Sequence, residues 1–124
     1  NFFGLQQFKV YGTESLTAGD HQVRVEFAYD GGGLGKGGGV TLYVDGSQVA
    51  EGRVDATVPM LFSGDETTDV GTDSATPVTD DLSPREVQFT GRVKWVQVEL
   101  GEGADDGNHL ISADERYRIA MARQ

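Results

Sequence analysis

A chain of 124 residues with a formal net charge of −10 is long enough for one domain with a modest core, and acidic enough to disfavour nucleic acid and anionic membranes as partners. It has no cysteine, which excludes disulfides within the chain, thiolate metal sites and cysteine nucleophiles. Hydrophobic residues make up only 37% while glycine reaches 18 residues, a balance that suits a β protein with many turns.

The chain opens at "NFFGLQQFKV" with neither an initiator methionine nor a signal peptide, as a piece of something longer would. No apolar run approaches the length of a membrane span. "FFGLQQFKVYG" is expected to be extended as far as Gly12, and "TESLTAGD" supplies turn residues. "HQVRVEFAYD" alternates: Val23, Val25, Phe27 and Tyr29 face one way, Gln22, Arg24 and Glu26 the other. Period two predicts a half-buried strand.

Seven glycines fill the nine residues from Gly31 to Gly39, with Lys36 among them. Gly33, Gly35 and Gly38 match G-x-G-x-x-G, but that motif cradles a phosphate only where a helix follows. Here "VTLYV" follows, which is strand-like, so the tract is expected to serve the backbone path between strands. A minority alternative has the loop packing on a neighbouring domain, with Lys36 as its contact. "VTLYVDGSQVAEGRV" then predicts a hairpin about Asp45-Gly46, because a primed turn needs positive φ. Val40, Leu42 and Val44 would share its buried face.

Between Pro59 and Pro84 the chain is polar and acidic, with at most a short strand near Val70. Asp65, Glu66, Asp69, Asp73, Asp80 and Asp81 supply the hard oxygens that calcium prefers. No EF-hand spacing is present. The simpler account is a solvated acidic loop, with Asp65, Asp69 and Asp73 kept as calcium candidates. "VQFTGRVKWVQVELG" predicts another strand, with Val96, Val98 and Leu100 on one face and a bulge or bend at Gly91. Trp95, the only tryptophan, suits core or interdomain packing; exposed, it could stack on a sugar ring. In "ISADERYRIAMARQ", Ser112 and Glu115 have capping-box spacing and predict a helix from Ala113 to Ala122. That divides the chain into a β region, 1–111, and a helical tail, 112–124.

Catalytic constellations are lacking. His21 and His109 read as surface or strand-start histidines, and no G-x-S-x-G is present. Glu26 and Asp30 share a strand face, but two carboxylates alone are a weak sign of glycoside hydrolysis.

The strings "HQVRVEFAYDGGGLGKGGGVTLYVDGSQVAEGRV", "TVPMLFSGDETTDVGTDSATPV", "FTGRVKWVQVEL" and "ERYRIAMARQ" resemble the C-terminal region of bacterial arylsulfatases of the alkaline-phosphatase-like group. The resemblance covers essentially the whole chain. "LYVDG", the later "DVG" and "FTGRV" are also similar to laminin-G-like and concanavalin-A-like sandwiches. It implies an all-β fold: an antiparallel β-sandwich of jelly-roll type, incomplete at its N-terminus, with a short C-terminal helix.

Sulfatases of that group use a formylglycine made within C/S-x-P-x-R, beside a divalent metal. In "LSPRE" Pro84 and Arg85 follow Ser83 directly, so no catalytic residue carries over. What carries over is a non-catalytic accessory domain whose partner is the catalytic sulfatase domain of the same parent chain. Trp95, the glycine loop and the C-terminal helix would supply the contacts. Strands missing before "NFFGL" would leave open edges, which recruit other strands, so a homodimer through those edges is a further expectation. The alternative is a lectin-like glycan-binding module. Sulfated glycans would need Lys36, Arg53, Arg85, Arg92 and Lys94 to cluster against the net charge.

Overall fold

A computed structural model of the chain describes residues 1–59, 68–74, 78–81 and 87–101. Within them lies one three-stranded antiparallel sheet, in the order β1 (Val23–Tyr29), β2 (Gly38–Val44), β3 (Ser47–Val54). No helix occurs among the described residues. The expected helix from Ala113 to Ala122, and with it the whole 112–124 tail, lies outside them.

The hairpin forms where the sequence places it. Asp45 and Gly46 have φ of 50° and 81°, the two positive values that a primed turn needs. Register follows from the turn: Leu42 pairs with Ala50 and Val44 with Ser47, with an irregularity at Leu42/Tyr43. β1 adds to the other side of β2, with Val25 opposite Leu42 and Phe27 opposite Val40. Directly opposed residues share a face. So Val23, Val25 and Phe27 of β1 lie with Val40, Leu42 and Val44 of β2 on one apolar face. The other face is polar. There Arg24 pairs with Glu26 at 2.7 Å and stands 4.0 Å over the Tyr43 ring, and Tyr43 donates to Glu26 at 3.2 Å.

The apolar face is only partly covered. The segment 8–12 crosses it above β3: a Cβ on Gly52 would meet Val10 Cγ2 at 2.5 Å, and one on Gly12 would meet Val49 at 3.7 Å. Above β1 nothing comparable occurs among the described residues, and Val23, Val25 and Phe27 are exposed, Val25 by 61%. Among the described residues no hydrophobic side chain is fully buried. The alternation of "VRVEF" therefore sets a face correctly, but the half-burial it predicts is not reached. Alternation reports which way side chains point, not whether a second layer covers them.

Three further expectations come out differently. The segment expected to be extended to Gly12 begins instead with a turn: Phe2 and Gln6 make an isolated bridge, with Gly4 at φ 70°. Residues 92–101 carry no strand pairing, although they alternate, and Val96, Val98 and Leu100 are exposed. A strand needs a backbone partner as well as a pattern, and no partner stands beside them among the described residues. The Gln97 amide does donate to Glu99, as same-side residues two apart on extended backbone can. Near Val70 the expected short strand reduces to one antiparallel bridge, Thr72 with Gln88. Asp73 N–H donates to the Val87 carbonyl at 2.9 Å and Phe89 N–H to that of Gly71 at 2.8 Å. A second sheet is not formed among the described residues.

Candidate interaction surface

The open part of the apolar face leads to a groove of about 610 Å³ along the free edge of β1. Val23, Val25 and Phe27 line one side; Trp95, Gln97 and Leu100 line the other. Lys94 anchors the start of the far wall by an ion pair to Asp20, just before β1. Trp95 is 61% exposed, so it is not a core residue. An exposed aromatic of this size is suited to contact with a second domain, a second chain or a sugar.

The glycine tract is a backbone device. Gly31, Gly32, Gly33 and Gly35 all have positive φ between 72° and 118°, which L side chains rarely adopt. Gly37 and Gly38 serve close approach instead. A Cβ on Gly37 would stand 2.2 Å from the Val54 carbonyl oxygen, and one on Gly38 2.6 Å from that of Ala28. The loop is tied down by its own chain. Lys36 N–H donates to the Tyr29 hydroxyl at 3.0 Å, and Thr57 Oγ1–H to the Lys36 carbonyl at 2.8 Å. β2 follows at once, so no helix N-terminus faces the loop. The Lys36 side chain is exposed. Its charge lies close enough to help the Arg53 guanidinium, the main cause, hold the Asp30 carboxyl below the usual range.

Among the described residues, two of the basic side chains expected to cluster are taken up by acids. Arg53 is paired with Asp30 and Asp55, and Lys94 with Asp20. Arg85 lies outside the described residues. Glu26 and Asp30 are each engaged by an arginine, Arg24 and Arg53 respectively. The Asp30 carboxyl, lowered first by the Arg53 hydrogen bond, is a poor general acid, since its ionised form is favoured.

The acidic connection is put to structural use. Asp69 accepts from Ser74 N–H at 2.7 Å and from its hydroxyl at 2.6 Å, and Asp73 accepts from Val78 N–H at 3.0 Å. Asp65 lies outside the described residues. Among those described, no group of three or more His, Asp or Glu is placed to hold a metal ion. Asp80 and Asp81 both receive Lys9, at 2.6 and 2.7 Å, and Asp81 also receives the Tyr11 hydroxyl at 2.6 Å. These bonds, from Lys9 first and then Tyr11, hold the Asp81 carboxyl down at about 2.

This clamp joins segment 8–12 to a loop some seventy positions on, and the sequence offers no sign of it beyond two opposite charges. Asp81→Asn is expected to free that segment: amide exchange of residues 8–12 should quicken while that of the β2–β3 hairpin stays as it was. Equal exchange in both proteins would mean that Val10 and the Lys9–Asp80 pair hold the segment without Asp81.

His21 stands just before β1, half-exposed, as a strand-start histidine. It is not idle. Nδ1 lies 2.7 Å from Asp45 Oδ2, and Nε2 lies 3.0 Å from the Thr17 carbonyl. Asp45 Oδ1 also accepts from Gln22 N–H at 2.9 Å. A pairing of residues 21 and 45 could be foreseen only from the hairpin register, which brings the turn beside the start of β1.

No helix among the described residues is long and apolar enough to cross a membrane. Comparison of the chain with protein-family models, with curated proteins and with solved structures gives no match.

Proposed function

We propose that this chain is a non-catalytic accessory domain of an arylsulfatase, which supports the stability, assembly or substrate access of the catalytic domain. One observation supports this most: an amphipathic sheet whose apolar face above β1 stays open, with Trp95 beside it. Such a surface belongs to an interface rather than to an isolated solvated domain. In this account the catalytic domain, or further strands of a laminin-G-like sandwich, supplies the missing layer. The resemblance of the glycine–lysine tract and "LYVDG" to sulfatase C-terminal regions gives the partner its class. The open edges of the sheet are also used to pair with a second copy.

The reading frame upstream of Asn1 tests the sulfatase assignment. A Cys- or Ser-x-Pro-x-Arg motif within an α/β domain is the expected finding. A few more strands and a start codon would overturn it.

Exposure of Trp95 favours a second reading, a glycan-binding module. A neutral oligosaccharide that shifts Trp95 fluorescence, and fails to do so with Trp95→Ala, would place that reading first. The net charge of −10 sets sulfated glycans against it.

A further inference from the structure

β1 is an end strand of the sheet, and its outer edge carries an unusual degree of self-complementarity. Asp45 N–H donates to the Gln22 carbonyl at 2.9 Å, and Asp30 N–H to the Gly37 carbonyl at 3.0 Å. These two bonds turn the even-numbered positions toward β2. The register between them is regular, without a bulge. In an antiparallel strand, successive residues point their N–H and C=O to opposite edges. Val23, Val25 and Phe27 therefore present theirs outward, into the groove.

A second copy of the same strand can meet this edge antiparallel about a two-fold axis. Three registers keep the backbone groups aligned near the centre of β1. One sets Arg24 against Arg24 and another sets Glu26 against Glu26; like charges directly opposed destabilise a pair. The third centres the axis on Val25. There Arg24 of each copy faces Glu26 of the other, at positions that are not hydrogen-bonded to each other and where side chains come closest. Val23 faces Phe27, so the apolar face runs on across the junction. About six backbone hydrogen bonds would form along the three outward residues of each copy. Local complementarity matters because two chains of net charge −10 repel one another at long range.

We propose that two copies of this chain pair through β1, antiparallel and centred on Val25, to make one continuous sheet with three strands from each. The register rests on the edge pairing proposed above and is independent of the sulfatase assignment.

Sedimentation of the full 124-residue chain over a range of concentrations reads the association directly. Arg24→Glu and Glu26→Arg, each made alone, should weaken it by about tenfold or more, because both cross-strand pairs turn repulsive. The double variant R24E/E26R should regain wild-type association, since the opposed charges match again. Val25→Pro should abolish it while the β2–β3 hairpin keeps its circular dichroism, because the Val25 N–H points away from β2. A monomer at all concentrations would overturn both this register and edge pairing in general. A dimer indifferent to all of these changes would overturn this register and move the pairing to the outer edge of β3.

Discussion

Gly37→Ala is expected to cost about 3 kcal/mol of folding stability, the largest loss of any single change in the glycine tract. The added Cβ would stand 2.2 Å from the Val54 carbonyl oxygen and 2.7 Å from the Asp55 carbonyl. Those are backbone atoms at the end of β3, and they cannot swing aside as a side-chain tip can. Gly39, two positions on and inside β2, has no atom within 4 Å of a Cβ and no positive φ. Gly39→Ala should therefore be neutral or slightly stabilising, since glycine within a strand weakens it. Gly32→Ala falls between: it has open space around it but φ of 74°, which costs a side chain about 1–2 kcal/mol. Thermal unfolding of the three variants checks the order. Equal losses at Gly37 and Gly39 would mean that the tract is merely flexible and that no close approach constrains it.

The pH response of the hairpin carries the second large effect. Both acceptors that face the His21 ring, the Asp45 carboxylate and the Thr17 carbonyl, call for an N–H donor, so the arrangement fits the imidazolium. Asp45 first and the Thr17 carbonyl second raise the His21 pKa above its ordinary value, and the charge of Asp20 adds to this. Lys94, paired with Asp20, tempers that last contribution.

A raised folded pKa means that the stabilisation is fully present below the ordinary histidine value, about 6.5, and is lost as pH rises through the folded value. Asp45 works in the opposite sense. Its carboxyl is lowered, by Gln22 N–H first and then by His21, so its contribution is present above the ordinary carboxylate range and lost in acid. The junction between β1 and the turn is thus firmest in mildly acidic solution. After the proton is lost, Nε2 can only accept, and the Thr17 hydroxyl at 3.2 Å is its remaining partner. Melting temperature followed from about pH 5 to about pH 9 should fall across the histidine titration. His21→Asn should flatten that slope. An unchanged slope in the variant would assign it to other groups.

How far the sequence foretold the molecule depends on what each part of the fold requires. Hairpin and turn were legible because their cause is local: Asp45-Gly46 needs positive φ at two adjacent residues, and alternation on either side sets the faces. The role of the glycine tract was legible for a similar reason, since a strand after the last glycine removes the helix that a phosphate cradle needs. Alternation misled at 92–101. "RVKWVQVEL" has the pattern of a strand, yet pairing is a property of two segments, and no neighbour supplies the second one among the described residues.

The ion pairs were out of reach for the same physical reason. Lys9 with Asp80 and Asp81, Arg53 with Asp30 and Lys94 with Asp20 join residues from 23 to 74 positions apart, and only the folded path brings them together. In a chain with twenty acidic side chains, no single carboxylate marks itself as the partner of a given lysine. The open apolar face lies between these cases. Its residues could be named from the alternation, but its exposure appears only once the sheet is seen to lack a cover above β1.

The central claim is that this face is built to be covered by a catalytic sulfatase domain. Hydroxyl-radical footprinting of Val25, Phe27 and Trp95 tests it most directly, with the chain alone and with it joined to the catalytic domain proposed for its parent chain. Edge pairing between two copies would fill the groove beside Trp95 but leave the Phe27 ring on the apolar face, so Phe27 separates the two kinds of contact. The account predicts a several-fold fall in labelling of Phe27 and Trp95 in the joined protein, with Arg24 and Tyr43 on the polar face unchanged. Equal labelling of Phe27 and Trp95 in the two proteins would contradict it.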